Sequence, residues 1–256
     1  MKLRAWMVIA GLLWSVSLLA QQEAKPAEKP AEAKTVEALP SVEEIIKKYE
    51  AALGGKAAAE KVTSRMMKGT LEVTNFGATG TFEILNKAPN KYLSTATVDS
   101  YGTVQTGFDG TNAWSSNPQT GAMKVEGDTA AQLRRQADFL GEFKLREQFP
   151  KMSVKEKTKV GDKETYVVEA VPAEGGPEKF YFDVQTGLMI RRDAETQGPE
   201  GKVPSEFYME DYQEVEGGKI PFHIRQNTPM YNIDIKFTEA KQNVEIEDSK
   251  FEMPKS

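Results

Sequence analysis

The chain has 256 residues with 39% hydrophobic, 28% charged and 9% aromatic content, an ordinary globular balance that excludes collagen-like, coiled-coil and wholly disordered proteins. Its formal charge of -5 leaves no strongly basic surface for nucleic acid. With no cysteine and one histidine, His223, the chain has no disulfide, thiolate metal site, cysteine nucleophile, cysteine-linked lipid anchor or histidine-rich metal centre.

The N-terminus reads as an address. Lys2 and Arg4 precede an uncharged stretch, Ala5 to Ala20, that ends on small Ala20 before Gln21-Gln22. A basic segment, an apolar segment and a small residue form a cleavable secretory signal. The stretch is shorter than the ~20 apolar residues of a membrane span and has no basic flank after it. Residues 1–20 are therefore expected to be removed, giving a periplasmic, non-lipidated protein. Losing Lys2 and Arg4 takes the charge from -5 to -7, and losing Trp6 and Trp14 leaves Trp114 as the only tryptophan. Residues 21–40 are nearly all Ala, Glu, Lys and Pro, a composition that buries no core and predicts a disordered linker.

A single folded domain is expected over 41–256. Ser41-Val42-Glu43-Glu44 is a capping box, followed by Ile45, Ile46, Tyr49, Ala52 and Leu53 on one helical stripe and stopped by Gly54-Gly55. A second helix is predicted from Asp128 to Leu140, with Asp128 as N-cap, Ala130, Leu133, Ala137 and Leu140 facing inward, and Arg134-Arg135 in water. Residues 143–149 add a short turn.

Nearly everything else alternates with period two. Phe82 and Ile84, Phe180 and Phe182, Ile220, Phe222 and Ile224, and Tyr231, Ile233, Ile235 and Phe237 each point one way, with polar neighbours pointing the other. Turn signals separate these runs at Asp109-Gly110, residues 119–121, residues 185–187 and residues 216–218. The reading is α+β: a single curved antiparallel sheet of about ten or eleven strands, an incomplete half-open barrel with a few helices covering its concave apolar face.

Catalytic constellations are scarce. His223 alternates onto a polar strand face and reads as an exposed histidine rather than a triad member. Gly54-Gly55-Lys56 lacks the remaining glycine and hydroxyl of a phosphate loop. Glu206, Glu210, Asp211, Glu214 and Glu216 offer paired carboxylates, against which stands the plainer reading of a solvated strand face. No catalytic residue, metal or cofactor is expected. The inner face encloses an apolar volume that is either a filled core or a partly open cavity, and periodicity does not separate the two.

Several segments, read in order, resemble the LolA-like superfamily of periplasmic lipoprotein carriers and related lipid-binding envelope proteins. They are residues 69–71, 80–84 running into 87–92, 107–114 with Asn117-Pro118-Gln119-Thr120-Gly121, 181–191 and 211–222. The resemblance implies an incomplete barrel whose helices lid a cavity for acyl chains, since each exposed CH₂ costs about 0.8 kcal/mol in water. The expected lining is Phe82, Ile84, Phe108, Trp114, Phe180, Phe182, Ile233 and Ile235. Lipoprotein carriers of this family place a basic residue before the proline of a "K-R-P" turn that helps close the lid; here Ala88 stands there. The first expectation is a non-catalytic carrier or binder of lipid or lipoprotein acyl chains. The alternative is an envelope interaction or sensor module with a filled core that docks to a membrane-bound protein. An enzyme working through the carboxylate run is third.

Overall fold

The computed structural model describes residues 38–198 and 201–255. The expected signal peptide and most of the expected linker lie outside them; the chain from Ala38 onward forms one compact unit.

The capping box is formed. Ser41 Oγ accepts from Glu44 N at 3.2 Å while Ser41 N donates to Glu44 Oε2 at 2.8 Å, satisfying two amides that a helix start leaves orphaned. Helix α1 (Val42–Ala52) buries Val42, Ile45, Ile46 and Tyr49. Gly54, at φ 106°, then turns the chain into the short α2 (Lys56–Ala59). A side chain at Gly54 would run into the Gly217 carbonyl, so only glycine fits.

Thirteen strands follow, against ten or eleven expected. β1 (Ser64–Val73), β2 (Ala78–Lys87), β3 (Lys91–Val98), β4 (Gly102–Phe108), β5 (Ala113–Asn117) and β6 (Gly121–Lys124) form one meander. A helical segment intervenes: α3 (Gly127–Ala137), a 3₁₀ turn at Gly141–Phe143 and α4 (Leu145–Gln148). A second meander comprises β7 (Lys151–Val160), β8 (Lys163–Val171), β9 (Glu178–Asp183), β10 (Met189–Gly198), β11 (Gly201–Val215), β12 (Gly218–Asn227) and β13 (Asn232–Gln242). The meanders join where β1 pairs antiparallel with β13, giving one sheet in the order β6-β5-β4-β3-β2-β1-β13-β12-β11-β10-β9-β8-β7. The sheet ends are where pattern is weakest: β6 has four residues, and lysine-rich β7 breaks register between Val154 and Glu156.

The sheet curls around α3. Arg135 reaches Glu178 on β9 at 3.1 Å, and its chain neighbour Gln136 donates to Tyr92 Oη on β3 at 2.9 Å. In a flat sheet β3 and β9 would stand seven strand spacings, about 34 Å, apart, beyond the reach of two adjacent side chains. The strands therefore wrap a hollow, and α3 crosses it as a bar. This helix is shorter than predicted. Asp128 lies inside its first turn, pairing with Lys202 at 2.5 Å instead of capping, and Leu140 falls beyond its end.

Cross-strand register assigns the faces. Met67, Leu71, Phe82, Ile84, Tyr92, Phe108, Ile224, Ile235 and Phe237 share the concave face with Phe180 and Phe182. On the opposite face, Trp114 lies beside Gly107, where any side chain would collide with the indole. Its Nε1 donates to the Phe251 carbonyl at 2.8 Å, and the cluster around it contains Leu85, Leu93, Ile246 and Phe251. The C-terminal segment is thus strapped across the convex face, and Lys87 and Lys91 hold Asp248 at 2.7 and 2.8 Å.

Two outcomes follow from the strap. Phe251→Ala, deleting a fully buried ring, lowers unfolding free energy by about 3–5 kcal/mol, read by denaturant titration of Trp114 fluorescence. Hydrogen bonds from Lys87 and Lys91 hold the Asp248 carboxyl at a pKa of about 2, below the usual carboxylate range. A depressed carboxylate adds stability above its unfolded pKa and loses it as pH falls through the folded value. Strap docking, followed by Trp114 emission in full-length protein, therefore weakens between about pH 4 and pH 2, and Asp248→Asn removes that step.

Candidate functional site

The concave face divides into three zones. Under α1 and α4, Phe180 and Phe182 are fully buried, with Phe149 edge-on to Phe180 at 5.0 Å and Tyr49 edge-on to Phe182 at 5.2 Å. Under α3, Phe108 and Tyr92 pack on Leu133 and Ala137. Between these two filled zones runs a strip on β2, β1, β13 and β12. Leu71 and Ile235 are buried there, while Phe82, Ile84, Phe222, Ile224 and Ile233 stay half-buried.

The expected lining residues therefore do not form one wall. Phe82, Ile84, Ile233 and Ile235 share the central strip. Phe108, Phe180 and Phe182 belong to solid packing beneath helices. Trp114 lies on the opposite face, because it pairs with Gly107 while Phe108 pairs with Ala113. Alternation gives parity within one strand and cannot link parity between strands without the register.

At one end the strip opens into a cavity of about 210 Å³ between α1, α2 and the chain after α3, lined by Tyr49, Leu53, Val62, Phe139, Phe143, Met209 and Ile220. Polar side chains also line it: Arg65, Glu142, Arg192, Tyr212 and Gln242, with exposed Glu216 and Lys219. Tyr49 donates to Glu142 Oε2 at 2.6 Å, and burial, then the Glu142 charge, push its phenol well above the ordinary value. Burial likewise raises Tyr212, whose hydroxyl donates to the Met189 carbonyl at 2.8 Å. Both phenols therefore stay neutral at physiological pH. The strand side chains at the opposite end of the strip lead to hairpin tips carrying Phe76, 71% exposed, and Met230, 46% exposed.

One buried carboxylate holds the crossbar in place. Glu178, 3% exposed, accepts from Arg135 at 3.1 Å and from Arg192 Nε at 2.6 Å. Arg135 also donates to the Glu174 carbonyl at 2.8 Å and lies over the Phe149 ring at 5.4 Å. The prediction of a wet Arg134-Arg135 pair thus holds for Arg134 alone. Arg135 is 15% exposed, a buried contact across the hollow that helix periodicity cannot reveal. At the far end of the helix, Phe139 N donates to the Pro89 carbonyl at 3.0 Å. This backbone bond ties the helical segment to the turn at Ala88-Pro89.

Two members of the acidic run, Glu206 and Glu210, are engaged on the convex face. Arg191 reaches Asp193 at 2.6 Å and Glu206 at 2.5 Å, and Arg225 reaches Glu210 at 2.7 Å. Arg225 also stacks on Tyr208 at 4.5 Å. Burial, then the hydrogen bond to Asp193, lifts Tyr181 to about 12. His223, expected to be exposed, is half-buried between Glu210 at 3.0 Å and Asp234 at 2.9 Å. Glu206 and Glu210 are thus knitted to arginines across strands. The sequence run hid this because the arginines lie on other strands.

No family model and no curated protein sequence matches the chain. Solved structures do. A DUF1329 family protein from Desulfovibrio piger superposes with a TM-score of 0.56 at 11% identity, covering 82% of this chain and 97% of that one. A LolA superfamily protein from Nitrosomonas europaea gives 0.53 at 12%, covering 84% and 98%. The fold is LolA-like. A domain from Vibrio parahaemolyticus assigned to outer membrane lipoprotein sorting gives 0.52 at 10%, covering 81% and 94%.

Breaking the Glu178 latch tests the crossbar. Glu178→Gln leaves Arg135 and Arg192 without their counter-charge, a change that costs about 3–5 kcal/mol for a buried pair. Amide exchange over residues 127–139 speeds up at least tenfold in mass-spectrometric measurements, while β1 and β13 keep their protection.

Proposed function

We propose that this chain is an extracytoplasmic binder or carrier of lipid or lipoprotein acyl chains. The observation that carries the reading is the half-buried apolar strip of Phe82, Ile84, Phe222, Ile224 and Ile233, continuous with the 210 Å³ cavity through Ile220. A sheet face buried by plain packing would cover such side chains fully, as α1 covers Phe180 and Phe182. Burying alkyl chain on the strip gains about 25 cal/mol per Å² of apolar surface removed from water. A flexible chain lies along a strand-lined strip more readily than a compact ligand does.

The crossbar supplies a means of exchange. It spans the hollow and is fastened at its sides by Glu178 and Tyr92 and at its end by the Pro89 carbonyl. A membrane or partner offering the cargo a better site shifts the balance toward release once these contacts part. Exposed Phe76 and Met230 mark the hairpin end of the strip as the part that meets a lipid surface. The LolA-like fold and the signal-like residues 2–20 agree with a periplasmic setting.

Native mass spectrometry of the full-length gene product, purified from periplasm without detergent, tests this reading. The expected result is a discrete added mass that organic extraction identifies as an acylated species. Ile224→Glu, which places a carboxylate on the strip, reduces the bound fraction at least tenfold with an unchanged circular dichroism spectrum. A clean protein mass that stays clean after incubation with phospholipid vesicles would falsify carriage and leave docking to a protein partner as the working function.

A further inference from the structure

At the cavity end of the strip, Arg65 has no ion pair and no hydrogen bond from its side chain among the described residues, and its Nε is fully shielded from solvent. The guanidinium lies only against the Phe139 ring, 5.7 Å from its centroid. Burial lowers its pKa, with Glu142 the nearby charge that opposes this. Glu142 is committed to Tyr49 and forms no ion pair with Arg65. Next to Arg65 on the sheet, its cross-strand neighbour Gln242 leaves its Oε1 shielded and unpaired while its amide nitrogen donates to the Val215 carbonyl at 3.3 Å.

Buried polar groups in folded proteins are almost always paired, because an unpaired one forfeits its hydration without replacement. Arg65 is doubly exceptional, since it also sits on the apolar parity of β1 with Met67 and Leu71. The other arginine lining the cavity, Arg192, is spoken for by Glu178. Lys219, the remaining cation of the lining, is exposed to water, so among the described residues Arg65 is the shielded, uncommitted guanidinium facing the apolar hollow.

Resting on the proposed acyl-chain binding, we infer that Arg65 is the anchor for the carboxylate of a single-chain fatty acid, whose tail runs from the cavity along the strip toward the hairpin rim. A guanidinium offers a planar fork of donors matched to a carboxylate. Gln242 Oε1, beside it, accepts from the acid's hydroxyl when the head group is protonated. The cavity exceeds the roughly 150 Å³ that accommodates benzene, enough for a carboxyl group and its first methylenes. From Arg65 to Val73 the strip spans eight residues of β1, about 27 Å, which takes the remaining tail. This polarity places the charged head deep and the tail outward, so the ligand is told from neutral lipids by its head group.

The test compares palmitate with methyl palmitate, which has the same chain and no charge, on delipidated full-length protein by competition against a fluorescent fatty acid. Palmitate is expected to bind at least tenfold tighter than the ester. Arg65→Met is expected to abolish that preference, leave the ester's affinity within twofold and raise the melting temperature of the ligand-free protein. Arg65→Lys retains part of the preference. Equal binding of acid and ester to the unaltered protein overturns the anchor while leaving acyl-chain binding intact. A melting temperature lowered in Arg65→Met with the preference retained also overturns it, by making Arg65 a structural residue. Failure of both ligands to bind overturns the acyl-chain reading as well.

Discussion

A single sheet has two faces, and water can be kept from an apolar one only by covering it or curling it. Thirteen twisted strands exceed the width at which open sheets stay extended, so this sheet closes on itself as far as its contents permit. The contents are α3, which touches β3 on one side and β9 on the other through adjacent residues. Its length and the reach of Arg135 set how far the strands come round. The width of the central strip follows from that distance, and so does the existence of a cavity at its end.

Charge placement follows the same geometry. On the convex face, where water competes, arginines, tyrosines and carboxylates alternate across β9 to β13, and Tyr181–Asp193, Arg191–Glu206, Arg225–Glu210 and His223–Asp234 each join neighbouring strands. In the hollow, charges are few and each has a distinct task. Glu178 gathers two arginines and fixes the crossbar, whereas Arg65 gathers none. Pairs exposed to water contribute little to stability; buried ones decide which conformations are accessible. The molecule concentrates its buried electrostatics on the bar and at the end of the strip.

How much of this was legible in the chain differs by element. Ser41 to Gly55 is a local signal from end to end, so α1 could be read residue by residue. The one-sided sheet was legible from alternation, and its LolA-like form from turn motifs taken in order. The lining was not, because Trp114 and Phe108 look alike to periodicity until pairing with Gly107 and Ala113 separates them. Arg135 and Glu178 are 43 residues apart and carry no local mark of their partnership. Arg65 did carry one: an arginine sharing parity with Met67 and Leu71 in a strand otherwise apolar on that side. The signal lay in the pattern's exception.

The seam between β1 and β13 has a consequence for how the molecule comes into being. Each meander is built of hairpins whose strands are near neighbours in sequence, so each can assemble as soon as its own residues are free. The seam joins residues 65–73 to residues 233–242 and closes a loop of about 160 residues, an event whose entropy cost must be met before any of its hydrogen bonds form. Until the last strand arrives, β1 is an open edge at the middle of the future hollow, with Met67 and Leu71 exposed beside it. The continuous concave face is therefore the last part of the protein to exist, and a chain cut short anywhere before Asn232 lacks the strand that joins its two half-sheets.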